Sequence, residues 1–316
     1  MELRDIEIFL ILAEELHFGR VAQRLHVSQA RVSQAIKLQE RHLGGTLFDR
    51  SNRRQIHLTP LGRQLHTELR PAYAGLRDSL ERARLAAQGI IGVLRVGMLP
   101  GNAHDLRPCW DTFRTRHPHW RLRIRHNPYV DAFTPLRNGD IDVLVAWLPI
   151  EEPDLTVGPE IFTESMVMLV PPGHRLASHD SVSVEDLGDY TVPKVPGMPD
   201  YWEEGFAPFQ TPRGRRIERD TTFHTTLDDV FTLVGTGESI SLLGAHAARY
   251  HARPDIVYLP LRDSWTLRWA LVWRSDTEND LIRALAQTVR DLGPRDTPRS
   301  ETVRTDQRAG WSSQSA

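Results

Sequence analysis

The chain has 316 residues, 40% of them hydrophobic and 25% charged, with 39 Lys and Arg against 41 Asp and Glu for a formal net charge of −2. That composition excludes a wholly disordered or fibrous chain, and the length argues for two domains or three. The one cysteine, Cys109, excludes an intramolecular disulfide and a multi-cysteine zinc site.

The charge is unevenly spread. Residues 1–88 carry 14 Lys and Arg against 10 Asp and Glu, net +4, so the remainder is net −6; within 17–70 the count is 10 to 3. A basic end on an acidic body suggests a polyanionic partner for that end alone. The apolar run Phe9 to Ala13 is flanked by Asp5, Glu7, Glu14 and Glu15, which is no secretory signal. Nothing approaches the roughly 20 apolar residues of a membrane span. The expectation is a soluble, cytoplasmic chain with no membrane partner.

Ile6, Phe9, Leu10, Ala13 and Leu16 recur at spacings of three and four and predict a helix over 2–16. His17, Phe18 and Gly19 interrupt it, and Val21, Ala22 and Leu25 mark the buried side of a second, short helix. Val27 is placed as a hydrophobic staple and Ser28 as the N-cap of a third. In that helix Val32, Ala35, Ile36 and Leu43 face inward, while Gln29, Arg31, Ser33, Gln34 and Lys37 face outward; Gly44 and Gly45 stop it. Two short helices joined by a tight turn, the second polar on its first exposed turns, form a helix-turn-helix. Such a helix enters the major groove, where Gln pairs with adenine and Arg with guanine. Ser51 and Asn52 then turn the chain between short extended pieces, a wing tipped by Arg53 and Arg54. A three-helix bundle with a merely solvated polar face shares the pattern; the local basic excess and the wing favour DNA.

Residues 1–62 resemble the winged helix-turn-helix of LysR-type transcriptional regulators. The resemblance rests on Phe9, Ala13, Phe18, Ala22, Leu25, Ser28-Gln29, Ser33, Ile36, Leu43-Gly44, Leu47-Phe48, Arg50 and Thr59-Pro60. It implies a sequence-specific regulator on double-stranded DNA. Two positions depart from the family pattern: Ala30 stands where Pro is usual and Gln34 where Arg is usual, while Arg31 occupies a commonly small position. These changes bear on base preference. Gln29, Arg31, Ser33 and Gln34 are the expected base-edge or phosphate contacts, with Ser28, Lys37 and Arg50 beside them and Arg53, Arg54 and Thr59 on backbone phosphates. Arg31→Ala is expected to relax specificity and Arg53→Ala to weaken all sequences alike.

Leu61, Leu65, Leu69, Tyr73, Leu76, Leu80, Ala83 and Ala87 form one apolar stripe on a long helix ending at Gln88. A second copy of the helix is the simplest partner, and packing on its own domain the alternative. The resemblance implies dimerisation here, hence a homodimer or homotetramer on a pseudo-palindromic site. Pro71 removes one helical hydrogen bond and should kink the helix.

Gly89 and Gly92 mark a hinge, after which strands alternate with helices. Strands are expected at 92–98, 120–126, 141–147, 165–172, 239–244, 256–263 and 267–274, and helices at 103–116, 131–138, 225–235 and 277–292. The alternation argues for an open, mainly parallel α/β sheet with a ligand crevice at the strands' carboxyl ends. Trp120, Leu122 and Ile124 share one face of their strand and three arginines the other, which suits an edge. The resemblance extends to about residue 293 and implies an effector domain of two α/β subdomains resembling periplasmic binding proteins, with a small molecule between them. Mapped onto this chain, it places Leu99, Gly101, Asn102, Trp147, Lys194, Val195, Gly197, Thr222, His224 and Thr225 on the cleft. Helix N-termini and Lys194 would suit an anion, and Trp147 an apolar or aromatic part. The expected divisions are a DNA-binding domain over 1–60, a linker helix over 61–88, the effector domain over 89–293 and a disordered polar tail over 294–316.

Catalytic signatures are missing: there is no G-x-S-x-G, H-E-x-x-H or P-loop. His174, His179 and Asp180 have no usual ligand spacing, His117 and His119 flank Pro118 as turn residues, and Cys109 beside Trp110 and Phe113 is expected as a buried thiol. No catalytic residue, metal or cofactor is expected. Two other readings stay open. One is a cytoplasmic small-molecule-binding α/β protein or enzyme whose N-terminal domain serves assembly only. The other is a constitutive DNA-binding protein that needs no ligand.

Overall fold

The structure is a computed structural model that describes residues 2–50, 56–220, 226–263 and 265–296. The chain divides into two compact units at Gly89/Ile90.

The first unit opens with α1 (Leu3–Glu15), α2 (Phe18–Leu25) and α3 (Gln29–Leu43). The short hairpin strands β1 (Phe48–Asp49) and β2 (His57–Leu58) follow, then α4 (Pro60–Ala86). Each helix boundary has a local cause. His17 Nδ1 accepts the Arg20 amide at the start of α2, Ser28 Oγ accepts the Arg31 amide at 3.1 Å, and Gly44 ends α3 at φ 71°. The core holds Ile8, Phe9, Leu12, Val21, Val32, Ile36 and Leu47. Ile8 and Leu12 lie outside the expected stripe of α1, because that helix is packed by α2, α3 and α4 rather than on one side only. Leu43, expected inside, is 40% exposed: the chain reverses at Gly44, and Leu47 and Phe48 fill the core there instead.

α4 is continuous through Pro71. Its apolar stripe has two fates. Leu65, Leu69 and Tyr73 pack on the helix-turn-helix core, whereas Leu76 and Leu80 are 40% and 60% exposed.

The second unit runs β3 (Gly92–Met98), α5 (Arg107–Arg116), β4 (Trp120–His126), α6 (Thr134–Arg137), β5 (Val143–Trp147) and β6 (Leu155–Val170). It continues with β7 (Thr191–Pro193), α7 (Asp200–Phe206), β8 (Glu218–Asp220), α8 (Leu227–Thr236) and β9 (Ser241–Gly244). It closes with α9 (Ala247–Tyr250), β10 (Val257–Pro260), β11 (Thr266–Arg274), α10 (Asp280–Leu292) and β12 (Arg295–Asp296). The expected helices at 103–116 and 131–138 are shorter, and Gly92 is the first residue of β3.

The main sheet has the order β10-β6-β11-β5-β3-β4. β3 pairs in parallel with β4 and β5, and the short β12 with β6; β11 is antiparallel to both β5 and β6, and β6 to β9 and β10. The expectation of a mainly parallel sheet is therefore corrected to a mixed one. β6 carries the chain out of the first half of the unit and β11 brings it back beside it, and an outgoing and a returning strand that pair must be antiparallel. β4 is the edge strand, with Leu122 buried and Arg121, Arg123 and Arg125 exposed, as the alternation predicts. The start of the expected tail is also corrected, since Arg295 and Asp296 pair in parallel with Phe162 and Thr163 of β6. Residues 297–316 lie outside the described residues.

Candidate nucleic-acid interface and ligand pocket

On α3 the buried face is Val32, Ala35, Ile36 and Gln39. The opposite face begins at the helix start, where Gln29, Ala30, Gln34 and Lys37 are exposed and Ser33 is half-buried. The Lys37 ammonium has no protein partner among the described residues. This leaves amide groups and a cation on the first turns of the helix, the arrangement that reads base edges and neutralises phosphates.

Three other expected contacts are engaged within the protein. Arg31 Nη2 donates to Asp5 Oδ1 at 2.8 Å. Arg50 donates to Glu40 Oε2 at 3.0 Å and lies over the Phe18 ring; the other Glu40 oxygen accepts the Leu47 amide at 3.0 Å. Arg50 thus ties the wing to α2 and α3. Thr59 caps α4: its hydroxyl accepts the Gly62 amide at 3.0 Å and donates to the Thr46 carbonyl at 2.7 Å. Ser28 keeps its hydroxyl proton while accepting at the cap of α3. Arg53 and Arg54 lie outside the described residues.

In the second unit a pocket of about 620 Å³ of empty space opens to solvent. Of the expected cleft residues, Trp147 at the end of β5 and Lys194 and Val195 after β7 line it. Leu99 is buried in the core, Gly101 faces His251, and Gly197 turns the chain at φ 72° beside Asp131. Asn102 is fully buried with neither amide atom bonded among the described residues. Thr222, His224 and Thr225 lie outside the described residues.

Sequence reading missed most of the wall: Tyr129, Met198, Phe206, Val230 and Leu243 come from five separate segments. No spacing rule links such positions, and only the Gly-rich and Pro-rich loops around them could have hinted at a cleft. The wall is predominantly apolar. Its polar residues are Lys194, whose ammonium lies 3.5 Å from Asp200; Tyr129; Ser241; and Thr226 at the N-cap of α8. Burial pushes the Tyr129 hydroxyl's pKa well up, with the Glu164 carboxylate adding to the shift, so it stays a neutral donor.

Trp147 stacks on Trp202 of α7, with ring centroids 4.1 Å apart. One residue further along α7, Glu203 is buried 3.8 Å from the Arg219 guanidinium, and neither carboxylate oxygen accepts a hydrogen bond among the described residues. Burial pushes the Glu203 carboxyl's pKa upward, against the pull of Arg219 and Lys194. Glu164, also buried, is fully served: it accepts from the Trp269 indole at 2.7 Å, the His246 amide at 3.0 Å and the His246 ring at 2.9 Å. Its place is structural, tying β6 to β11 and to the start of α9.

Among the described residues no group of three His, Cys, Asp or Glu is arranged to hold a metal ion, and no helix is long and apolar enough to cross a membrane. Cys109 is buried.

Residues 3–63 match the family described as bacterial regulatory helix-turn-helix protein, lysR family, and residues 87–294 match the LysR substrate binding domain. The transcriptional regulator ShiR of Corynebacterium glutamicum (strain R) is 31% identical over 294 residues, covering 86% of this chain and 92% of that protein. AlsR of Bacillus subtilis (strain 168) is 28% identical over 290 residues, covering 90% and 93%. The crystal structure of CbnR, a LysR family transcriptional regulator, superposes with a TM-score of 0.64 at 21% identity, covering 92% of this chain and 99% of that one. Full-length CbnR complexed with its target DNA gives 0.61 at 21% identity, covering 93% and 100%.

Proposed function

The chain belongs to the LysR family of transcriptional regulators, with a DNA-binding helix-turn-helix and an effector-binding domain, and from that premise we propose which residues carry its two activities. α3 lies in the major groove and reads bases with Gln29, Ser33 and Gln34. Ser28 and Lys37 hold phosphates at its start and along its side, and Arg53 and Arg54 hold phosphates from the wing. Arg50 and Thr59 serve this surface by fixing the wing and α4 rather than by touching DNA. The observation that carries the reading is the exposed Gln29, Gln34 and Lys37 face on a helix whose other side is buried.

The effector is a small, largely apolar molecule held in the pocket between Trp147 and the segments of α7 and α8. Its polar end meets Lys194 and the Tyr129 hydroxyl, which suits a carboxylate or another anion. Two copies of the chain join through α4, whose Leu76 and Leu80 find no cover within their own unit. The protein works in the cytoplasm on a pseudo-palindromic site as a homodimer or a tetramer built from such dimers, and it catalyses no reaction. Effector binding favours one arrangement of the oligomer on DNA over another.

The test is fluorescence anisotropy of the full chain on the duplex immediately upstream of its own gene, against a scrambled duplex, with salt varied. Tight binding to the upstream duplex with a steep salt slope is expected. Equal, salt-insensitive binding to both would overturn the reading.

A further inference from the structure

Resting on the reading that α3 enters the groove, we propose that Asp5 is a positioning residue for DNA recognition. It holds the Arg31 guanidinium against α1, and so sets how many cations the recognition helix offers to DNA.

The geometry has three parts. Arg31 is the third residue of α3, on the same side as Ala35 and Gln39, both of which are buried. Its side chain therefore starts at the margin between the exposed and packed faces, and it is long enough to go either way. Asp5 is the fixed partner. It sits in the first turn of α1, its backbone carbonyl accepts from Gln39 Nε2 at 2.8 Å, and its other carboxylate oxygen lies 3.5 Å from the Glu2 amide. Asp5 is 13% exposed and Arg31 38%, so the carboxylate stays and the guanidinium comes to it. The neighbouring cation, Arg4, is taken up by Glu7 and the Leu25 carbonyl and does not compete for Asp5.

The pair is a tether and not a saturated site. Only Nη2 of Arg31 is bonded, and its Nε and Nη1 donors have no acceptor among the described residues. A released Arg31 would stand on the first turn of the recognition helix with five donors for a backbone phosphate. Such a cation adds affinity for any duplex, whereas the tethered one leaves the base contacts to Gln29 and Gln34. The effect of Asp5 is thus on discrimination.

Salt titrations of full-length variants on the upstream and scrambled duplexes test this. Asp5→Asn is expected to tighten the scrambled duplex and to steepen the slope of log K against log salt by about 0.9, one added phosphate contact. That equals an extra loss of about 3.5-fold in affinity between 50 and 200 mM salt. Asp5→Glu should restore the wild-type slope, and Asp5→Asn in an Arg31→Gln background should not steepen it. Equal steepening in that background would overturn the proposal, because Asp5 would then act through its own charge. Arg31→Gln alone gives an independent reading that does not need Asp5→Asn to fold. The wild-type slope is expected to survive, and a slope shallower by about 0.9 would mean that Arg31 already sits on DNA. Failure of the wild-type chain to bind either duplex would instead overturn the DNA reading itself.

Discussion

Trp147 and Trp202 bond each other twice. The Trp147 indole donates to the Trp202 carbonyl at 3.2 Å, the Trp202 indole donates to the Trp147 carbonyl at 2.9 Å, and the rings stack at 11°. Both are buried. The last residue of β5 is thereby locked to α7, and the Trp147 ring becomes a wall of the pocket. Trp202→Phe keeps the stack but leaves a buried carbonyl without its donor, at a cost of about 1–3 kcal/mol. Trp147→Ala removes the whole ring and is expected to cost about 3–5 kcal/mol. Urea unfolding of the two variants checks the order, and a neutral Trp202→Phe would show that the hydrogen bond from the Trp202 indole contributes nothing.

Gly62 in the first turn of α4 has no room for a side chain. A Cβ there would lie 2.1 Å from the Leu47 carbonyl oxygen, which already accepts the Thr59 amide at 3.0 Å. Gly62→Ala must push α4 away from the wing. We expect a loss of about 1–3 kcal/mol in thermal or urea unfolding, together with weakened DNA binding, since the same contact seats Thr46 and Thr59. Gly75→Ala, in open space further along α4, is the control and should be neutral or stabilising.

The buried Glu203 gives the effector unit a pH dependence. Its folded-state pKa is raised by burial, so between the ordinary carboxylate value and the raised one the folded chain binds more protons than the unfolded chain. The Glu203 contribution is therefore fully present below the unfolded value and is lost as pH rises through the folded one. Urea midpoints measured from pH 4 to 7 should fall less steeply with pH for Glu203→Gln than for the wild type. Parallel curves would mean that Arg219 fully compensates the charge.

Cys109 is 3% exposed, and burial pushes its thiol up to about 12. Near neutral pH it is a protonated thiol and a poor nucleophile. Alkylation by iodoacetamide should be slow in the folded protein and should rise with the urea unfolding transition. Rapid labelling of the native chain would contradict this placement.

The DNA-binding unit was largely legible because its determinants are local. Ser28 caps the helix that begins one residue later, Gly44 ends it in a left-handed turn, and Val32 and Ile36 mark the buried face at helical spacing. The sheet was legible strand by strand but not in direction. The run from Thr266 to Arg274 reads the same whichever neighbour it pairs with, and its place between β5 and β6 follows from contacts across more than 100 residues. α7 went unread because Asp200–Phe206 is too short to show a period, although it supplies Trp202, Glu203 and Phe206.

Composition, caps and spacing by themselves determined the helix-turn-helix, the long α4 stripe and the alternating texture of the second unit, since each depends on residues within a turn or two of one another. Only the tertiary structure decided what the long side chains do. Arg31 points in sequence like a DNA contact, and it is Asp5, brought beside it from 26 residues away, that claims its guanidinium. The pocket is likewise a tertiary product: Tyr129, Trp147, Lys194, Phe206 and Val230 meet because five separate segments converge there, and no local rule relates them.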